Sequence, residues 1–165
     1  MKAHDIHEDY LRSIIFGFQD ALVSTTGVIA GVSIGTQIKE IVLLAGIVTI
    51  TVEALSMGVG QYMSEKAVHQ MDRTGKHTDN LYLVGGFMFI SYFLGGLVPL
   101  LPIIIFNFPL ASYISIGAAL SGLFILGFLK AYIVKVNPLR SALEIFILGG
   151  ITTAIGIIIG KLLRI

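Results

Sequence analysis

Apolar stretches at 13–36, 41–62, 81–104, 111–134 and 140–163 take up nearly all of this 165-residue chain. Each exceeds the roughly 18 residues that mark a membrane span, and at 1.5 Å rise per residue a helix of that length covers a hydrocarbon core of about 30 Å with modest tilt. None alternates apolar and polar residues, as the roughly ten-residue strands of a barrel would. With 55% hydrophobic and 13% charged residues, the chain departs from the composition of a soluble domain. The expected fold is an all-α integral membrane protein with five transmembrane helices, a single transmembrane domain over 1–165. Residues 63–80 are expected to form a short cytoplasmic loop or an extension of the second helix, stopping near Thr74-Gly75.

Orientation follows from the distribution of Lys and Arg. Eight lie on one side (Lys2, Arg12, Lys66, Arg73, Lys76, Lys130, Lys135 and Arg140) and three on the other (Lys39, Lys161 and Arg164). The positive-inside rule puts the N-terminus in the cytoplasm and, with an odd number of spans, the C-terminus on the opposite side. The acidic start, with Asp5, Glu8 and Asp9, lacks the basic region of a secretory signal, so the first span is expected to direct insertion itself. Cysteine is absent, which removes disulfides and thiolate metal sites. A net charge of +1 gives no footing for nucleic acid.

Small residues recur four apart: Gly27, Gly31 and Gly35 in the first span, Ala54 and Gly58 in the second, Gly156 and Gly160 in the fifth. Such spacing lets helix backbones approach closely in lipid, and it serves packing within one chain or a dimer contact equally well. Pro99 and Pro102 should kink or end the third span, and Asn137-Pro138 suits the start of the fifth. Arg140 and Glu144, four apart, read as an ion pair at the membrane surface.

Asp20 and Glu53 carry the chemistry. An ionised carboxylate in mid-span costs about 2.5 to 3.5 kcal/mol, so each requires water, a cation or a proton, and no Lys, Arg or His is available at that depth. Counted from the cytoplasmic ends of their spans, the two lie roughly 10 and 14 Å deep and can share a level. Met57 is one helical turn from Glu53, and its thioether shifts an oxygen site from hard ions towards iron or manganese. Two structural readings compete: the acids as protonated packing groups, with Gln19, Ser24, Thr25, Thr49, Thr51 and Ser56 as hydrogen-bond partners, and Met57 as a filler of the helix interface. His4, His7, His69 and His77 fall on the cytoplasmic face with several carboxylates, and Glu65, His69 and Asp72 would share one helix face as a metal collector, or form a solvated polar surface.

The segment LRSIIFGFQDALVSTTGVIAGV (11–32) resembles the opening span of the vacuolar iron transporter family of divalent metal transporters through Arg12, Gly17, Asp20, Leu22, Val23, Ser24, Gly31 and Val32. EALSMGVGQYMS (53–64) is similar to its second-span Ser-Met-x-x-Gly-Glu-Tyr pattern through Ser56, Met57, Gly60 and Tyr62, and 137–163 resembles its last span. The resemblance implies a five-helix homodimer with the metal path between the first and second helices of both subunits. It implies export of Fe²⁺ or Mn²⁺ from the cytoplasm by proton antiport, with Asp20 and Met57 as metal ligands. It also implies no enzyme activity and no tightly bound cofactor. The membrane would be the inner membrane of a prokaryote, or a vacuolar or similar membrane of a eukaryote. Three departures stand out: Ala21 follows the Asp where Gly is usual, Gln61 replaces a common Glu, and Glu53 occupies a position usually small. The connection after the second span also lacks the long Glu-rich domain of many members.

Protonation and cation binding are alternative ways to neutralise a carboxylate in lipid, so metal and proton should compete at Asp20 and Glu53. Other readings of the same acids are a proton-coupled transporter of another cation, a membrane protein that binds metal without moving it, and a membrane metalloenzyme. The last wants more ligands at one depth than a single chain supplies.

Overall fold

The computed structural model describes residues 8–72 and 80–164. Five helices account for nearly all of them: α1 (Glu8–Thr36), α2 (Lys39–Met71), α3 (Leu81–Ile105), α4 (Leu110–Val134) and α5 (Pro138–Leu162). All five are long and apolar enough to cross a membrane, and the chain is a multi-pass membrane protein. Helix α2 is the longest because it continues past the apolar stretch through Glu65 and Lys66 to Met71, with Asp72 as its C-cap. The Thr74-Gly75 stop expected from sequence lies outside the described residues.

Side chains and left-handed residues define the ends. Asn80 accepts hydrogen bonds from the backbone N–H of Tyr82 (3.0 Å) and Leu83 (3.4 Å), and Asn137 accepts one from Arg140 (3.1 Å), so α3 and α5 start on side-chain caps. Pro138 occupies the first turn of α5, where its missing N–H costs nothing. Gln37 and Lys135, at φ 55° and 60°, turn the chain left-handed after α1 and α4. Lys39 donates to the carbonyls of Ile104 (2.9 Å) and Phe106 (3.1 Å), placing a positive charge at the negative end of the α3 dipole. Pro99 and Pro102 do not end α3, which runs on to Ile105. The Pro99 carbonyl accepts a hydrogen bond from Ser115 of α4 (2.6 Å). The expected ion pair between Arg140 and Glu144 is not formed; both side chains are exposed.

Helix α1 is the hub: it packs against each of the other four, while α2 meets α3, α3 meets α4 and α4 meets α5. Among the described residues α2 and α5 do not touch, so four helices wrap α1 as a horseshoe whose opening lies between α2 and α5. Where α1 meets α5, glycines face each other: a Cβ at Gly31 would sit 2.8 Å from the Gly156 carbonyl oxygen, and one at Gly160 would overlap the Gly31 carbonyl. The small-residue stripes are therefore used within the chain, and in lipid such close approach supplies the dispersion contact that holds helices together. On other faces of α1 the core is ordinary packing, with Ile29 among Val42, Ile50, Leu100 and Ile103, and Leu22 among Ala119, Leu123 and Ile145.

Candidate metal path along the first and second helices

The polar groups of α1 and α2 meet along one seam. At its N-terminal end Arg12 forms ion pairs with Asp9, at 2.9 Å, and with Glu65. The Glu65 side chain is almost completely buried and also accepts a hydrogen bond from the Gln61 amide (3.0 Å). Twelve residues further along α1, Ser24 donates to Glu53 Oε2 (3.1 Å), and Glu53 lies twelve residues before Glu65 on α2. Equal steps on two antiparallel helices fix their register. Asp20, four residues before Ser24, therefore falls level with Met57, four residues after Glu53, and Phe16 falls level with Gln61.

That register corrects the expectation that Asp20 and Glu53 share a level. Glu53 lies one turn beyond Asp20, about 6 Å along the helix axis. Met57 packs against the buried cluster of Ala21, Ala54 and Tyr92, as does Phe89, and Ala21 is the residue next to Asp20 in the chain. Asp20 itself accepts no hydrogen bond from the described residues. Its carboxylate is half-buried on the α1 ridge that runs through Phe16 and Ser24 towards the horseshoe opening.

Glu53 is better provided for. Besides Ser24, the hydroxyl of the fully buried Tyr92 of α3 donates to the same Oε2, and the Ser24 and Tyr92 hydroxyls are 2.5 Å apart. Ser24 is thus a partner as expected, whereas Tyr92 was not foreseen. Its depth was the available signal: Tyr92 lies eleven residues into α3, about 16 Å, close to that of Glu53. Of the other partners considered, Thr25 is buried with no hydrogen-bond partner for its hydroxyl, and Thr51 bonds back to the Ile47 carbonyl (2.8 Å).

The N-terminal collector takes a different form from the one expected. Glu65 faces α1 and is engaged by Arg12 and Gln61, His69 is half-buried one turn on, and Asp72 caps the helix. Among the described residues no three His, Asp or Glu side chains are grouped so as to hold a metal between them. His4, His7 and His77 lie outside the described residues. A cation on this seam would therefore find carboxylates one at a time, at Glu65, Asp20 and Glu53, with a thioether beside the middle one. Such a series suits passage better than permanent retention.

Comparison with known proteins gives the chain relatives. The VIT family model matches residues 11–81 and 69–161. "Vacuolar iron transporter 1" of Arabidopsis thaliana is 24% identical over 94% of this chain and 87% of its own length. "Vacuolar iron transporter homolog 3" of the same plant is 29% identical over 88% and 79%. An uncharacterized protein of Methanocaldococcus jannaschii is 28% identical over 90% and 86%. The alignment to the first spans 217 positions but takes in 94% of this chain, about 155 residues, so about 62 positions of that relative have no counterpart here. The two family matches meet at 69–81, the connection from α2 to α3.

Proposed function

The chain belongs to the VIT family, and on that premise we propose that it carries a divalent transition metal, Fe²⁺ ahead of Mn²⁺, out of the cytoplasm across the membrane it spans. The iron assignment rests on relatives named vacuolar iron transporters. The observation that carries the reading is the register of α1 and α2, which sets Asp20, a carboxylate with no hydrogen-bond donor among the described residues, level with the thioether of Met57. Oxygen and sulfur together favour borderline transition metals over Mg²⁺ or Ca²⁺.

Three further elements belong to the same proposal. Transport runs by proton antiport, because Asp20 and Glu53 lie in lipid without a basic partner and must be neutralised by a proton when the cargo has left. Two copies of the chain form the path, because the horseshoe leaves an apolar groove along Ser24, Gly27, Val28, Gly31, Thr152 and Ile155. A second copy seated there would add the ligands of its own α1 and α2 to the path. The N-terminus and the Arg12–Glu65 end of the seam face the cytoplasm, in keeping with the excess of basic residues there.

Purified protein reconstituted in vesicles tests this directly. Wild type should pass Fe²⁺ and Mn²⁺, and Asp20→Asn should reduce uptake to the level of empty vesicles while its elution volume and unfolding temperature stay the same. Wild-type uptake by Asp20→Asn would remove the seam from the mechanism. Metal binding by wild type with no flux would instead identify a binding protein.

A further inference from the structure

The Arg12–Glu65 pair lies two turns from Asp20, on the ridges that carry Asp20 and Met57, so cargo reaching Asp20 from the N-terminal face passes it. The geometry points to Arg12 as a specificity-determining residue: its guanidinium is a tethered competitor that fills the mouth of the path until an ion of higher charge displaces it. This rests on the transport reading for the identity of the cargo, and adds the residue that decides which ions enter.

Three observations carry it. First, the Glu65 side chain is almost wholly buried, and a buried carboxylate left unpaired is strongly destabilised, so this site holds a cation whenever Glu65 is ionised. Second, the Arg12 side chain is 59% exposed, and one nitrogen, Nη2, serves both Glu65 and Asp9. Released from Glu65, Arg12 keeps Asp9 at 2.9 Å, so displacement does not strand it. Third, Gln61 donates to the same Oε1 of Glu65 that Arg12 holds, which fixes the carboxylate whichever cation occupies it.

Charge selection follows from Coulomb's law. A monovalent ion replacing the guanidinium exchanges one unit charge for another and also forfeits the advantage of a tethered ligand. A divalent ion doubles the attraction to Glu65 at the same distance. The seam therefore excludes Na⁺ and K⁺ at its mouth, before Asp20 and Met57 sort among divalent metals by ligand type.

Arg12→Gln removes the competitor. In vesicles loaded with a metal-sensitive dye, it should lower the half-saturating Mn²⁺ concentration by about twofold to fivefold, the scale of a partly exposed ion pair. It should also admit K⁺, which wild type excludes. Because a single nitrogen makes both contacts, Arg12→Lys should keep wild-type half-saturation and selectivity. An Arg12→Gln protein that merely transports less, with half-saturation and K⁺ exclusion unchanged, would overturn the assignment, as would an Arg12→Lys protein as leaky as Arg12→Gln. Equilibrium Mn²⁺ binding to the full chain in detergent gives a second arm that requires no transport. Arg12→Gln should bind more tightly than wild type, and Arg12→Gln/Glu65→Gln should lose that gain. Equal binding by wild type and Arg12→Gln refutes the competitor, whereas tighter binding without flux in any variant supports it and refutes the transport reading alone.

Discussion

On one flank of α1, glycine faces glycine; on the other, hydroxyls and carboxylates face each other. Against α5 the contact is dry and backbone to backbone, with Gly31 against Gly156 and Gly160 against Gly31. Against α2 it runs from Arg12–Glu65 through Asp20 and Met57 to Ser24–Glu53, with Tyr92 closing in from α3. The dry seam draws its strength from shape and has no room to change. The polar seam is held by a few discrete contacts, which in the proposed mechanism a cation replaces one at a time. A transporter needs both: one helix interface that stays fixed, and another whose partners can be exchanged without unfolding.

Overfilling the dry seam should have the largest effect. In Gly160→Leu the added Cβ alone collides with the Gly31 carbonyl, and backbone cannot rotate away as a side chain could. Overpacking typically costs about 1–3 kcal/mol and more where the obstacle is rigid. The expected outcome is loss of a monodisperse folded protein in detergent, read by size-exclusion chromatography and a thermal unfolding curve. A Gly160→Leu protein as stable as wild type would mean that α5 is not held to α1 in this way. Gly150, ten residues earlier on α5, has open space where a Cβ would go, so Gly150→Ala serves as a control for adding a side chain to this helix and should leave stability unchanged.

The corresponding change in the polar seam is smaller. Tyr92→Phe keeps the buried ring and removes only the hydroxyl, leaving Glu53 Oε2 with Ser24 alone. Interhelical hydrogen bonds in membranes average about 0.6 kcal/mol and reach about 1.7 kcal/mol, so the thermal midpoint should fall modestly while the elution profile stays that of wild type. A collapse as severe as that of Gly160→Leu would show the polar seam to be structural, which would count against its contacts being exchangeable.

The sequence made the spans legible because length and apolarity are properties of each segment alone. The helices begin and end within a few residues of the apolar stretches except at α2, whose extension is polar and gives no hydropathy signal. Asp20, Glu53 and Met57 were legible as residues out of place in lipid. Their register was not, since nothing in either segment alone states that Glu53 sits opposite Ser24 and Met57 opposite Asp20. Tyr92 escaped for the same reason: a Tyr in an apolar span is unremarkable until a carboxylate is known to lie at its depth. Gln61 was visible only as a departure from a pattern, and Arg12 only as a pattern match and one of the basic residues that set the orientation. Their common partner, Glu65, had been grouped with His69 and Asp72 by helical spacing, which says which residues share a face but not what that face meets.

The smallest expected effect lies outside both seams, and it sets the scale on which the others are judged. Asn80 caps α3 by accepting from Tyr82 and Leu83, and its own N–H donates to the Tyr10 hydroxyl (3.1 Å). Asn80→Ala abolishes the cap but leaves that backbone N–H in place, and because the site is exposed, water replaces the lost acceptor. The cost should fall near the lower end of the usual range for caps, about 0.5–2 kcal/mol, with half-saturation and maximal uptake of Mn²⁺ unchanged. A stability loss without a transport phenotype in Asn80→Ala shows that generic weakening does not mimic the Arg12 and Asp20 variants. If Asn80→Ala instead shifted half-saturation as Arg12→Gln is expected to, the α3 end would be coupled to the mouth of the seam through Tyr10, and Arg12 would lose its claim to act alone there.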